Sequence, residues 1–150
     1  SSDLAAIQFS TSSTIVRYHN VYGPNMGPGH FVPDMINKIR NECFEVIGAK
    51  ETRAFLYIKD ALEGTIAALQ KNSVKVPIFH LGSSEEIKIS DAAQIMFDEM
   101  LPYKVTPKLL NSREGSVYRR CADVNKAAKI LDWKARIDFR TGIRMILGKN

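Results

Sequence analysis

Short apolar runs rich in β-branched and aromatic residues recur along the chain, separated by polar and turn-forming residues. Such runs are typical of strands that are buried on at least one face. We expect the first, TIVRY, to be a buried strand and Gly48 to close the second. The predicted strands lie at residues 14–18, 44–48, 53–58, 77–82 and 105–110.

Between these runs, apolar residues recur every three or four positions, which is the spacing of one helix face. The predicted helices begin near Pro33, Asp60, Ser90 and Asp123, and another lies near the carboxyl end. Proline suits a first helical turn, and Asp or Ser caps one by accepting from free backbone N–H groups. Residues 2–9 indicate the last turns of a further helix. The predicted core-facing positions are Met35, Ile36 and Ile39; Leu62, Ile66 and Leu69; Val124, Ala127, Ala128 and Leu131; and Phe139, Ile143, Ile146 and Leu147.

Strands that alternate with helices predict an α/β protein with some parallel pairing. Residues 1–150 form a single piece in this interpretation, because no internal repeat or low-complexity linker divides them. A chain of this length is long enough to build one hydrophobic core.

The net charge of the chain indicates which class of ligand it binds, but it says little about the fold. Lys and Arg number 21 against 16 Asp and Glu, a net charge of +5. The basic residues are spread along the chain, which argues against nucleic acid and fits a small anion such as a phosphate ester. No apolar run is long enough for a membrane span and no signal peptide is visible. Cys43 and Cys121 lack a CxxC spacing, so we expect buried, reduced thiols in a cytoplasmic protein.

The stretch RYHNVYGP, residues 17–24, is the first candidate for a ligand site. An Asn and a Gly-Pro turn after a strand place polar groups at the carboxyl edge of a sheet, where ligands of α/β proteins bind. The alternative is a plain turn in which Asn20 hydrogen-bonds the backbone. The residues alone leave both interpretations open.

Arginines form the second group of candidates. Arg53 begins an apolar run and could aim its planar fork at a phosphate, although a solvated surface arginine is the commoner case. Arg113, Arg119 and Arg120 lie close together in sequence and could form a phosphate clamp. The alternative is a basic loop paired with carboxylates such as Glu114.

Catalytic and metal-binding patterns are missing from the sequence. The three histidines share no metal-ligand spacing, and no GxSxG, P-loop or GxGxxG motif is present. We therefore expect no metal site in these 150 residues.

Five motifs in their order carry a family resemblance. The motifs are RYHNVYGP, HFVPDMI, FEVIGAKETRAFLYIKDALEGTIAAL, IFHLGSSEEIKISDAAQ and SREGSVYRRCADVNKAAKILDWKA. Each is loose by itself, but together they cover nearly the whole chain with sensible gaps. In these motifs the sequence resembles the C-terminal half of the NAD-dependent nucleotide-sugar epimerases and dehydratases, within the extended short-chain dehydrogenase/reductase superfamily.

The resemblance implies an architecture and a set of contacts. The C-terminal part of a Rossmann-type sheet, supplied by TIVRY and PIFHLG, is joined to a small substrate-binding lobe, while the cofactor-binding N-terminal half is absent. The substrate implied is a nucleoside-diphosphate sugar. Its implied contacts are Asn20, Arg53 and Arg113 at the diphosphate, Phe44 and Val46 around the nucleobase, and Glu114 at the ribose. Tyr18, His19 and Val21 are implied to lie near the nicotinamide.

The sequence also departs from the family pattern. The Gly-rich cofactor loop and the Ser/Thr plus YxxxK set are absent, and Ser116 stands where many relatives carry an acid. NAD(P) is therefore expected in a full-length enzyme, with little or none bound by this chain alone, which should be inactive. Epimerisation, dehydration and decarboxylation stay open, as do the base, the sugar and NAD versus NADP.

Three hypotheses follow from these departures. The chain is a fragment of a sugar-nucleotide epimerase or dehydratase, as the missing initial Met favours; or a stand-alone nucleotide-sugar binding module; or an assembly partner that pairs with a separate cofactor-binding chain. Exposed strand edges would make it a homo-oligomer or leave it paired with the missing half.

Overall fold

A computed structural model describes residues 13–71 and 77–149, so the helix predicted at residues 2–9 lies outside the described part. The strands are β1 (Ile15–Tyr18), β2 (Val21–Tyr22), β3 (Glu45–Ile47), β4 (Thr52–Ala54), β5 (Leu56–Tyr57), β6 (Ile78–Leu81), β7 (Glu86–Lys88), β8 (Lys108–Leu110) and β9 (Arg119–Arg120). The helices are α1 (Phe31–Arg40), α2 (Ile58–Gln70), α3 (Ile89–Met100), α4 (Asn125–Leu131) and α5 (Phe139–Ile146).

Parallel pairing dominates the described strands and confirms the α/β prediction. The two strands predicted to share a sheet, β1 and β6, pair in parallel with Ile15 opposite Ile78. The pairs β2–β5 and β3–β8 are also parallel. In the three-stranded sheet β7-β4-β9, only β7 runs antiparallel to β4.

The run 53–58 was predicted as one strand, and that prediction is wrong. The chain forms β4, breaks at Phe55 and continues as β5, after which Ile58 already begins α2. The break separates two partnerships, because β4 pairs with β7 and β9 whereas β5 pairs with β2. Strand pairing over long sequence distances therefore overrides a continuous β-forming run.

Most of the large buried side chains belong to one cluster, which we call the aromatic core. It consists of Tyr22, Val32, Met35, Ile39, Val46, Ala49, Phe55, Tyr57, Ile89, Ala92, Ala93, Met96, Phe97, Phe139 and Ile143. The rings of Phe55 and Phe139 lie 4.7 Å apart between centroids, and Tyr22 packs against both. Tyr22 approaches α5 so closely that a Cβ at Gly142 would lie 2.0 Å from its hydroxyl oxygen. The predicted core positions on α1 and α5 are confirmed by this packing.

A second cluster, the alanine core, lies between α2, β6 and α4. Its members are Leu56, Ala61, Ala68, Phe79, Leu81, Ala127 and Trp133. Small side chains let α2 approach closely, and a Cβ at Gly64 would lie 2.8 Å from both Leu81 Cδ1 and Trp133 Cε2. The small-residue face of α2 is therefore the buried one.

The prediction that Leu62, Ile66 and Leu69 face the core is wrong, since these side chains are 57%, 54% and 75% exposed. Their i, i+4, i+7 spacing does mark one face of α2, but the face that packs is the one carrying Ala61 and Ala68. β1 was likewise predicted to be buried, but Tyr18 at its end is half exposed.

None of the three predicted caps is the N-cap of its helix. Ser90 lies inside α3, whose N-cap is Lys88. Asp60 lies inside α2 and is buried, and its Oδ2 accepts from the backbone N–H groups of Arg136 and Ile137, 76 and 77 residues away. Asp123 accepts from Asn125 N, but it lies one residue before Val124, the N-cap of α4.

Both cysteines are free and partly buried, so the expectation of buried thiols holds only in part. No helix in the described ranges is long and apolar enough to cross a membrane.

Candidate functional site

A cleft of about 300 Å³ opens between the β1–β2 connection, the start of α1 and strands β3, β4 and β9. Its walls combine polar and aromatic side chains, as small-molecule sites do. Among the residues that line it are Asn20, Val21, Phe31, Ile47, Glu51, Arg53 and Arg120. We call it the first cleft.

Asn20 links β1 to β2 in a left-handed conformation, with φ of 46°. Asparagine adopts this region more readily than most residues, which explains its use at this turn. Its side-chain nitrogen donates to Ala54 O at 2.9 Å, and its own carbonyl accepts from Leu56 N at 3.2 Å. Asn20 therefore does bond the backbone, as the simpler interpretation held, and it also lines the first cleft.

Arg53 projects from β4 into the same cleft, and its side chain is only 13% exposed. Its Nη1 donates to Thr52 O at 2.7 Å and to Tyr118 O at 3.4 Å. Its Nη2 donates to the Glu51 carboxylate. These contacts hold the guanidinium in one orientation while it still lines the cleft.

A second cleft of about 230 Å³ adjoins the first and shares with it the wall of Phe31, Ile47 and Glu51. Arg113, Ser116 and Lys38 also line the second cleft. The structure thus brings Asn20 and Arg53 to one cleft and Arg113 to its neighbour. The turn that carries Arg113 closes with Ser116 N donating to Arg113 O at 3.1 Å, and Gly115 adopts a φ of 76° within it.

Glu51 is a site residue that the sequence reasoning missed. It is 5% exposed, lines both clefts and forms an ion pair with Arg53. Burial raises the pKa of its carboxyl, but the hydroxyls of Ser116 and Ser112 and the charge of Arg53 outweigh burial, so the pKa lies below the ordinary value. Its proximity to Arg53 in sequence was the one available signal, since residues i and i+2 share a strand face.

The other predicted arginines diverge. Arg120 lines the first cleft with Arg53. Arg119, the preceding residue of β9, donates to both carboxylate oxygens of Glu86. The shortest of these hydrogen bonds, from Nη2 to Oε2, is 2.7 Å. Successive side chains of a strand point to opposite faces of the sheet, so the side chains of Arg119 and Arg120 lie apart. A joint clamp of Arg113, Arg119 and Arg120 is therefore not what the structure shows.

Three predicted substrate contacts lie outside the lining of both clefts. Val46 is fully buried in the aromatic core. Phe44 is partly buried and packs edge to face against Phe97, at 5.7 Å between ring centroids. Glu114 is exposed beside Arg113.

The three predicted cofactor contacts lie at the ends of β1 and β2. The Tyr18 hydroxyl and Thr65 Oγ1 form a hydrogen bond of 2.7 Å, and His19 Nε2 lies 2.6 Å from His80 Nδ1. Burial, together with the charges of His80 and Arg17, lowers the pKa of His19. Val21 lines the first cleft.

Two of these three side chains, those of Tyr18 and His19, already have hydrogen-bond partners within the chain. The sequence contains no Gly-rich phosphate loop. Within the described ranges, no cluster of three or more His, Cys, Asp or Glu side chains is placed to bind a metal.

Comparison with known sequences identifies relatives. Residues 4–82, more than half of the chain, match the model of the NAD dependent epimerase/dehydratase family. The chain is 30% identical over 137 residues to UDP-glucuronic acid decarboxylase 1 of Arabidopsis thaliana, covering 88% of this chain and 31% of that protein. It is 31% identical over 134 residues to UDP-glucuronate 4-epimerase of Thermodesulfobacterium geofontis, covering 87% and 41%. The chain thus spans less than half the length of these curated relatives.

Solved structures give the same result for the fold. UDP-glucose 4-epimerase of Thermotoga maritima, solved with UDP-glucose, superposes with a TM-score of 0.79 at 20% identity, covering 97% of this chain and 48% of that one. UDP-glucuronic acid 4-epimerase of Bacillus cereus, solved with UDP-glucuronic acid and NAD, gives 0.75 at 26% identity, covering 87% and 42%. Sequence and fold agree, and the chain belongs to the NAD-dependent epimerase/dehydratase family.

Proposed function

We propose that this chain is the substrate-binding portion of an NAD(P)-dependent epimerase or dehydratase, and that its two clefts hold the diphosphate of a nucleoside-diphosphate sugar. The observation that carries this proposal is the placement of Arg53 and Arg113 in adjoining clefts that share one wall. Guanidinium forks match phosphate oxygens in geometry and charge, and two of them suit the two phosphates of one diphosphate.

The remaining contacts take their roles from this placement. Asn20 would contact the diphosphate beside Arg53, since both line the first cleft. Val21 lines the same cleft, and its role near a nicotinamide stays a prediction. The roles of Phe44 and Val46 at a nucleobase stay predictions, as does that of Glu114 at the ribose. Those of Tyr18 and His19 at a nicotinamide likewise stay predictions.

The chain's own part is to bind and orient the substrate. NAD(P) would accept and return a hydride in the reactions of this family, and we assign no catalytic group to these 150 residues. Because they contain neither a Gly-rich loop nor a YxxxK motif, we expect them to bind little NAD(P) and to show no turnover alone.

A stand-alone binding module or an assembly partner without catalysis is the second candidate. The exposed apolar face of α2 at Leu62, Ile66 and Leu69 favours an assembly role, because contiguous apolar surface marks interaction sites. Titration with a nucleotide sugar separates the two binding roles from the assembly role. Binding supports either binding role, whereas an assembly partner that binds no sugar nucleotide would give no signal.

The test is calorimetric titration of the chain with UDP-glucose and with UDP-glucuronic acid, followed by Arg113→Ala. Losing a charged hydrogen bond should weaken binding by about 1.5–3 kcal/mol. Arg113 is exposed, so this substitution should leave the fold intact. Arg140→Ala is the matched control, since Arg140 pairs with Glu99 and Asp98 and lines neither cleft. Equal affinity of Arg113→Ala and wild type would remove Arg113 from the site.

A further inference from the structure

Glu51 occupies an unusual position for a carboxylate, inside the wall of a site proposed to bind an anion. Its side chain is 7% exposed and contacts the Arg53 guanidinium. A buried carboxylate beside an anion site repels the anion, so its presence there calls for a contribution that offsets this cost. The question is therefore what this side chain contributes.

The backbone fixes Glu51 from two directions. Glu51 N donates to Gly48 O at 2.8 Å, closing the turn after β3, and Ile89 N at the start of α3 donates to Glu51 O at 2.9 Å. Gly48 has a φ of 69°, and a Cβ there would lie 2.8 Å from Glu51 Oε1. The absence of a side chain at Gly48 thus makes room for the carboxylate.

The carboxylate lies between the two arginine-bearing segments. On one side it pairs with Arg53 of β4. On the other side lies the turn from Ser112 to Ser116, and the hydroxyls of both serines help to lower the pKa of the carboxyl. Ser116 and Arg113 line the second cleft with Glu51. One side chain therefore pairs with the first of the two segments that would hold the phosphates and shares a cleft wall with the second.

We propose that Glu51 is the positioning residue of this site: it fixes the Arg53 fork and the Ser112–Ser116 turn so that Arg53 and Arg113 can engage one diphosphate together. The inference rests on the proposed function. Long arginine side chains lose conformational freedom when they bind, and holding them in place beforehand reduces that loss. Groups that support binding side chains by packing and hydrogen bonds supply this order.

Positioning and charge make opposite predictions for two substitutions. Glu51→Ala removes both the contacts and the charge, whereas Glu51→Gln keeps an oxygen for Arg53 and hydrogen-bonding groups for the serines but removes the charge. If Glu51 positions the site, the Ala variant should bind UDP about 10-fold more weakly. The Gln variant should then stay within about 3-fold of wild type. These fold-changes follow from the loss of charged hydrogen bonds at one arginine.

Calorimetry with UDP as the probe, on the full chain, makes the test. Glu86→Ala is the matched control, because Glu86 pairs with Arg119 and bonds Thr52 on the same sheet yet lines neither cleft. Thermal unfolding of every variant, followed by circular dichroism, shows which are folded. If Glu51→Ala does not fold, Ser112→Ala with Ser116→Ala tests the same contact from the exposed turn, and about 3-fold weaker binding is expected.

A double-substitution cycle adds a second measurement, the coupling between Glu51 and Arg113 in UDP affinity, which a purely structural role of Glu51 would not change. Arg113→Ala should weaken UDP binding strongly in the wild-type background but less than about 3-fold in the Glu51→Ala background. The reason is that Arg113 is already displaced there, and groups that act together are not additive. Additive losses would overturn the inference.

Tighter UDP binding by both Glu51 variants would show that the carboxylate acts through its charge. Wild-type affinity in both variants, or the same loss of affinity in both, would show that Glu51 does not position the site. Each of these outcomes overturns the inference and leaves the proposed function standing. A folded wild-type chain that binds none of UDP, UDP-glucose and UDP-glucuronic acid would overturn the proposed function, and the inference would fall with it.

Discussion

The aromatic core and the alanine core differ in how completely they cover the elements around them. In the aromatic core, α1, α3 and α5 bury their large apolar side chains against one another and against the strands. In the alanine core, α2 buries its small residues, while the large side chains of Leu62, Ile66 and Leu69 lie more than half exposed. A helical pattern thus identifies a face, whereas the neighbouring elements decide whether that face is buried.

The two cores also differ in their position relative to the clefts. The clefts border the aromatic core, because Phe31, Val32, Phe55 and Ile89 line the first cleft and pack in or against that core. A rigid packed core beneath a site holds its side chains in place. The alanine core instead joins β1 and β6 to α2 and α4, and none of its buried members lines either cleft.

The largest expected effect separates the two regions directly. Phe139→Ala should lower the free energy of unfolding by about 3–5 kcal/mol, because it deletes a fully buried ring from the aromatic core. Leu69→Ala, at a position that is 75% exposed, should change it by no more than about 0.5 kcal/mol. Urea unfolding of both variants makes the measurement. A loss at Leu69 as large as that at Phe139 would mean that the exposed face of α2 is covered in solution.

A smaller loss is expected where a buried carboxylate joins α2 to the segment before α5. Asp60 accepts from Arg136 N and Ile137 N, both at 2.9 Å. Asp60→Ala should cost about 1.5–3 kcal/mol, because it leaves these donors without their charged acceptor. Asp60→Asn keeps one acceptor oxygen and should cost less. Equal stability of the Ala variant and wild type, measured in urea, would refute this role.

The sequence predicted the parts of the fold that depend on local pattern. α1 is an example, since Met35 and Ile39 are buried as their spacing indicated. The division of residues 53–58 into β4 and β5 was beyond such reasoning, because it depends on the strands they pair with. Asp60 was likewise misread as a cap, since its partners are more than 70 residues away.

The candidate site was predictable only in part, for similar reasons. Asn20, Arg53 and Arg113 came from the order of motifs, and the structure places them along two adjoining clefts. Glu51 was missed, because its position two residues before Arg53 is a weak signal and a single acid in a polar stretch is ordinary until its burial is known. Val46 shows the converse, since its position in a motif did not reveal that it would be fully buried.

The smallest expected effect concerns the β1–β6 pair on the alanine-core side, where His19 and His80 are hydrogen-bonded. Burial, His80 and Arg17 lower the pKa of His19 below its ordinary 6.5. As the pH falls below about 6.5, the unfolded chain takes up a proton at this residue that the folded chain still resists. The free energy of unfolding should therefore fall with pH, until the lower pKa of the folded state is passed.

Urea unfolding at intervals from pH 7.5 down to pH 5 measures this slope. His19→Gln should reduce the slope, because the residue that binds protons differently in the two states is gone. His30→Gln is the matched control, since His30 is exposed before α1 and lies outside the β1–β6 pair. An unchanged slope in His19→Gln would assign the pH dependence to other groups.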